Sequence, residues 1–217
     1  MADNIRTIGP EPYPAEFFMS LAESLDKGAV IGYPTETVYG LGCDAGNREA
    51  VERVYRLKGR EYDVPFLMLI REKGDVLNLT ESILPGVEDL MEAFWPGPLT
   101  LIFQAGSGTG FAHCGKERIA IRISSDPICR MLLDAFHKPL ISTSANPTGC
   151  PPAHTAEEVF LYFNHEIDCI LNGGQRRGLP STILDVSGEP FRLIRRGSLT
   201  RASLEKLLGR RIDEESV

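Results

Sequence analysis

Near the start of the chain, Phe17, Phe18, Leu21 and Leu25 recur at the spacing of one helix face, and Gly28 stops the run. Residues 29–33 then form a short apolar strand, broken by Pro34. Asn47 suits the N-cap of a second helix, whose apolar side is Ala50, Val51, Val54 and Tyr55 and which runs out at Lys58-Gly59-Arg60. Residues 66–70 read as a buried strand by composition. A helix near 86–94, the break Trp95-Pro96-Gly97-Pro98 and a strand over 99–104 follow, and the glycine-rich 105–116 reads as a mobile loop.

Strict alternation returns over 118–123: Ile119, Ile121 and Ile123 face one way, Arg118, Ala120 and Arg122 the other. Asp126-Pro127 opens a helix with Ile128, Met131, Leu132, Ala135 and Phe136 on one stripe. Residues 140–143 form a strand that ends in Ser144-Ala145-Asn146, and Thr155 with Glu158 makes a capping box for the next helix. Strands are predicted at 169–171, 181–186 and 191–195, the last two joined by a Ser-Gly-Glu turn. Thr200 caps a final short helix, and the residues after it read as a frayed tail. With no repeat, heptad run or linker, the pattern predicts one α/β domain, a mixed sheet with helices packed on it.

At 217 residues such a domain buries enough surface to need no disulfide or metal. The net charge of -7 argues against a protein whose main task is coating nucleic acid, while leaving room for a local basic groove. No apolar run reaches the roughly 18 residues of a membrane span, and Met1 to Pro14 lacks the charged-then-apolar pattern of a secretory signal. Five scattered cysteines without a C-x-x-C pair predict free thiols in a reducing cytoplasm. His113-Cys114 and Cys150 with His154 have no second pair at ligand spacing, so no metal site is expected.

Four polar clusters sit where strands or helices end. Pro34-Thr35-Glu36-Thr37 either orients a small polar substrate or is a turn capped by its own hydroxyls. Lys58-Gly59-Arg60 suits a polyphosphate, or else complements the helix C-terminus. Arg122, in mid-strand, needs a partner or an open groove, unless it shares a solvated face with Arg118. In Ser142-Thr143-Ser144-Ala145-Asn146-Pro147 two hydroxyls on one side of a strand and an amide in the turn can hold phosphate and carboxylate oxygens; a plain turn is the alternative.

These clusters, in this order, resemble the YrdC-like family of threonylcarbamoyl-AMP synthases. The resemblance is carried by Tyr33-Pro-Thr-Glu-Thr-Val-Tyr-Gly-Leu-Gly-Cys-Asp44, Lys58-Gly-Arg60, Trp95-Pro-Gly-Pro-Leu-Thr100, Ile119-Ala-Ile-Arg122, Ser142-Thr-Ser-Ala-Asn146, Ser181-Thr-Ile-Leu-Asp185 and Arg195-Arg-Gly197. It implies a single YrdC-like domain over residues 10–208, an open twisted mixed sheet with flanking helices and a concave groove, and a flexible tail over 209–217. It also implies a nucleotidyltransferase that makes threonylcarbamoyl-AMP and pyrophosphate from L-threonine, bicarbonate and ATP. Thr35, Arg122, Ser142 and Ser181 would hold threonine. Lys58, Arg60, Ser144, Asn146 and Arg195 would hold ATP, with Lys58, Arg60, Ser144 and Asn146 closest to the chemistry.

Mg²⁺ would accompany ATP, its ligands largely substrate and water. A TsaD-type transferase with its accessory proteins would receive the product for the adenosine beside the tRNA anticodon, and the groove would allow a weak tRNA contact. Glu61, Leu69 and the segment 175–180 depart from the family's common pattern, and the further C-terminal domain of its longer members is expected to be absent. A YciO-like paralogue and an RNA-binding module of the same fold are the competing readings. Retention of the Lys-x-Arg and Ser-x-Asn residues favours the synthase over the paralogue.

Overall fold

Alternation along the strands sorts side chains onto two faces of one sheet, and the two faces are covered differently. The protein is described by a computed structural model over residues 5–7, 14–61, 65–108 and 117–214. Its strands are β1 (Ile5–Thr7), β2 (Ile31–Pro34), β3 (Tyr39–Gly42), β4 (Leu67–Leu69), β5 (Leu99–Gln104), β6 (Arg118–Arg122), β7 (Leu140–Ser144), β8 (Cys169–Asn172), β9 (Thr182–Asp185), β10 (Arg192–Arg195) and β11 (Asp213–Glu214). Its α-helices are α1 (Ala15–Asp26), α2 (Arg48–Lys58), α3 (Val76–Leu79), α4 (Val87–Phe94), α5 (Pro127–Phe136), α6 (Ala156–Phe163) and α7 (Arg201–Leu208). The strands join in the order β1-β8-β2-β3-β7-β4-β6-β5-β9-β10-β11, with parallel and antiparallel neighbours mixed. Among the described residues no helix is long and apolar enough to cross a membrane.

The predicted caps are in place. Asn47 Oδ1 accepts from the Ala50 amide at 3.1 Å, and Asp126 Oδ1 from the Ile128 and Cys129 amides at 3.0 and 3.1 Å. Thr155 Oγ1 accepts from the Glu158 amide, but the Glu158 carboxylate turns to the His154 amide, one residue before the cap.

One face of the sheet is closed. Leu41, Met68, Leu101, Ile121, Ile141 and Leu184 bury against residues of α2, α3, α4, α6 and α7. On the other face α1 and α5 cover only one half, packing Phe18, Leu25, Leu132 and Phe136 on Ile31, Tyr33, Leu69, Leu140 and Leu171. The remaining half, on β4, β6, β5 and β9, leaves Leu67, Ala120, Ile102 and Ile183 only partly buried in the middle of the sheet. Apolar residues at mid-sheet with none of the described helices over them form the floor of the expected groove.

The chain end differs from the expected tail. As far as Glu214 it is docked: Ile212 is fully buried, β11 pairs with β10, and the Arg210 guanidinium lies over the Phe191 ring. A single leucine-sized side chain in a run of charges gave no periodic signal, yet its burial fixes the segment. Ala105 and Gly106 are likewise held, bridging to Thr80 and the Leu79 carbonyl. The rest of that loop from 109, with His113 and Cys114, and the tail from 215 lie outside the described residues.

Candidate active site

The candidate residues on strands collect on the open half-face because strand parity sends them there. Ser142 and Ser144 share the side of Leu140, and Arg122 and Ala120 lie opposite the isoleucines of β6. Register sets Leu67 of β4 between Ala120 and Ser142, and Leu69 between Arg122 and Leu140. Ser181 enters β9 on the same side as half-buried Ile183.

Lys58 is not a helix-end charge in solvent. It is 4% exposed, and its Nζ crosses to β7, donating to the carbonyls of Ser144 at 2.6 Å and Asn146 at 2.5 Å. Burial, followed by the positive charge of Arg60, lowers its pKa to about 8, and Cys150 opposes that shift. Gly59 turns the chain with left-handed backbone, and Arg60 then lies 5.0 Å from the Phe66 ring centre while donating to the Pro65 carbonyl. Asn146 is also buried: its Nδ2 donates to the Pro147 and Cys150 carbonyls, whereas Oδ1 has no hydrogen-bond partner among the described residues. Its free function is therefore an acceptor. The half-buried Ser144 hydroxyl lies on the groove side of the strand.

A second group lies toward β6 and β9. Ser181 Oγ is 2.9 Å from Thr100 Oγ1 and accepts from Arg195 Nη2 at 2.9 Å, while Arg195 also donates to the Ser181 carbonyl. Partial burial, and then the charge of Arg122, lower the Arg195 pKa. Arg122 is 4% exposed and faces Glu36, with Nε 3.8 Å from Oε1. The fully buried Tyr33 hydroxyl lies toward Ser142 and Arg122 without a hydrogen-bond partner among the described residues, and burial raises its pKa. Thr35 closes the turn after β2, donating to the Val38 carbonyl at 2.6 Å, so its proton serves the local-cap reading.

Several contributors escaped the sequence reading. Glu36 lies within the Tyr33–Asp44 motif, which assigns it no role. Ser124 and Asp126 lie a few residues past Arg122 and tie that turn to two others: Ser124 donates to Glu36, after β2, and Asp126 pairs with Arg176, after β8, at 2.7 Å. Burial raises the Asp126 pKa, and Arg176 opposes that shift. Only Asp126 carried a signal, that of a helix cap.

An uncovered half-sheet bearing arginines and hydroxyls, with Lys58 at the carbonyls of Ser144 and Asn146 and a buried amide oxygen on Asn146, gives an α/β protein a set of groups suited to anionic small molecules. The comparisons narrow this class. Residues 23–197 match the family Sua5_yciO_yrdC, described as "Telomere recombination". The chain is 39% identical to the threonylcarbamoyl-AMP synthase of Marinobacter nauticus, over 81% of this chain and 96% of that one. It is 35% identical to the threonylcarbamoyl-AMP synthase of Pyrococcus abyssi, over 84% of this chain and 54% of that one, and so spans about half the length of that relative. The crystal structure of P. abyssi Sua5 complexed with L-threonine superposes with a TM-score of 0.92 at 32% identity, covering 97% of this chain and 62% of that one. The chain belongs to the Sua5/YciO/YrdC family.

Proposed function

We propose that the protein is a threonylcarbamoyl-AMP synthase, joining L-threonine, bicarbonate and ATP into threonylcarbamoyl-AMP with release of pyrophosphate. The observation that carries the reading is the pairing of two chemically different zones, one on the open half-face and one where the end of α2 meets the end of β7. Lys58, Arg60, Ser144 and Asn146 make a zone rich in charge and amide, Arg122, Ser142 and Ser181 make one of guanidinium and hydroxyl, and Arg195, bonded to Ser181, adds a charge for the nucleotide. The names of the relatives and the threonine complex support the same assignment.

The threonine amine takes up bicarbonate, losing water, to give a carbamate. A carbamate oxygen then bonds to the α-phosphorus of ATP as the bond to pyrophosphate breaks. Arg122, Ser142, Ser181 and the turn of Thr35 hold the amino acid; Lys58, Arg60, Ser144 and Arg195 hold the nucleotide and neutralise charge on its phosphates. The residues align and neutralise, with no covalent protein intermediate. Mg²⁺ fits the donor set: Asn146 Oδ1, buried without a hydrogen-bond partner among the described residues, would hold it with phosphate oxygens and water. Bound there, the ion would neutralise phosphate charge.

The mixed anhydride is reactive and needs a receiver. A TsaD-type transferase with its accessory proteins fills that role in this reading, and a weak tRNA contact accompanies it. The setting is the cytoplasm, in keeping with scattered cysteines such as Cys43, Cys129 and Cys150 that form no disulfide among the described residues. Incubation with ATP, bicarbonate and labelled threonine tests the activity: threonine-dependent pyrophosphate release and a labelled adenylate are expected. Their absence, with the fold intact, would leave the YciO-like paralogue or the RNA-binding module.

A further inference from the structure

We propose that Glu36 is a positioning residue, which sets the Arg122 guanidinium so that it meets the carboxylate of the amino-acid substrate. The role rests on the synthase reading above and deepens it.

The two side chains come from separate parts of the chain, the turn after β2 and the end of β6, yet both are withdrawn from solvent. Side-chain exposure is 4% for Arg122 and 15% for Glu36. At 3.8 Å, Arg122 Nε and Glu36 Oε1 form an ion pair but no hydrogen bond, and neither atom has a hydrogen-bond partner among the described residues. Buried charges without hydrogen bonds are costly, so each of these groups depends on the other's charge.

Glu36 is the fixed member of the pair. Its Oε2 accepts from Ser124 Oγ, and that hydroxyl accepts in turn from the Asp126 amide at 3.2 Å. The serine's one proton is therefore committed to the carboxylate. Asp126 is held by the first amides of α5 and by Arg176. The main chain of Glu36 is confined as well: the 173–180 segment passes so close that a Cβ on Gly178 would meet the Glu36 carbonyl at 2.6 Å. An anchored carboxylate on the Nε edge leaves the outer edge of the guanidinium for another anion.

The local charges agree with this role: Arg122 is paired with Glu36 and Arg176 with Asp126, so neither carboxylate stands unopposed where the substrate carboxylate arrives. Glu36 thus orients Arg122.

The test is calorimetric binding of threonine and of ATP to the wild type, Glu36→Gln, Arg122→Gln and the double variant, with a melting curve for each. Glu36→Gln should weaken threonine about 10- to 100-fold, the range for a charged contact, and leave ATP unchanged. The double variant should bind threonine no worse than Arg122→Gln alone. Glu36→Asp should recover part of the loss, which a merely structural role does not predict. If Glu36→Gln fails to fold, Ser124→Ala keeps both charges but frees the carboxylate, and a smaller threonine-selective loss is expected. A lowered melting temperature with normal threonine affinity, or equal losses for both ligands, overturns the role. A wild type that binds no threonine overturns the synthase reading and this role with it; a wild type that binds while Glu36→Gln binds equally overturns the role alone.

Discussion

The half-face of the sheet under α1 and α5 and the half-face beside it are built on the same strands, yet they fill their positions in opposite ways. Under the helices, Ile31, Leu69, Leu140 and Leu171 meet Leu132, Phe136 and Leu25, and nothing polar is needed beyond the Tyr33 hydroxyl. Beside them, Arg122, Ser142, Ser144 and Ser181 stand among half-buried Ala120, Ile102 and Ile183. The boundary runs through single strands: on β7, Leu140 belongs to the covered half and Ser144 to the open one. A sheet can therefore spend one end of a strand on stability and the other on chemistry, because alternation keeps both on the same side.

That contrast can be broken most severely by filling the groove. Ala120→Phe puts a ring where a small side chain forms the floor, and threonine and ATP binding should both disappear while the melting temperature changes little. Normal binding by this variant would mean the groove is not the site. The mirror experiment is Leu132→Ala under the helices. It should cost about 2–5 kcal/mol in denaturant unfolding, with ligand affinities of the folded protein unchanged.

Lys58 belongs to both accounts, since it ties α2 to the end of β7 and also supplies charge. Lys58→Met should weaken ATP about 10- to 100-fold and also lower stability, because two carbonyls lose their donor. Its ionisation adds a pH signature. The fold lowers the lysine pKa to about 8, so the folded protein loses this proton before the unfolded chain does. Burying the charged form therefore opposes stability below pH about 8, and that penalty is relieved as pH rises toward the ordinary lysine range. ATP affinity should move the other way, falling as pH rises through about 8 in the wild type but not in Lys58→Met. A flat wild-type profile would remove the lysine charge from nucleotide binding.

The smallest effects should come from the hydroxyls. Ser142→Ala should weaken threonine and Ser144→Ala should weaken ATP, each about 2- to 12-fold, the range for a neutral hydrogen bond. Lower melting temperatures with unchanged affinities would return both serines to the turn-capping role.

The open half was easier to recognise in the sequence than to assemble. The 118–123 alternation put Arg122 opposite the isoleucines, and the structure keeps it there, buried rather than solvated. Asn47 and Asp126 were legible because a cap needs only its own helix. β3 was missed because Tyr39–Gly42 contains two glycines, poor strand formers, whose missing side chains make room for the Tyr33 ring. Glu36 with Arg122, and Lys58 with the carbonyls of Ser144 and Asn146, could not be read from spacing, because these contacts join residues far apart in the chain. Local patterns recorded which residues were polar at strand ends; tertiary packing alone decided which of them meet.

The central claim is that the open half-face and the adjoining meeting of α2 with the end of β7 carry two sites of different chemistry. Calorimetric titration of Arg122→Gln and Lys58→Met with both ligands tests it most directly. The account predicts that Arg122→Gln loses threonine and retains ATP, while Lys58→Met loses ATP and retains threonine. Equal loss of both ligands in each variant, or of neither, would contradict it.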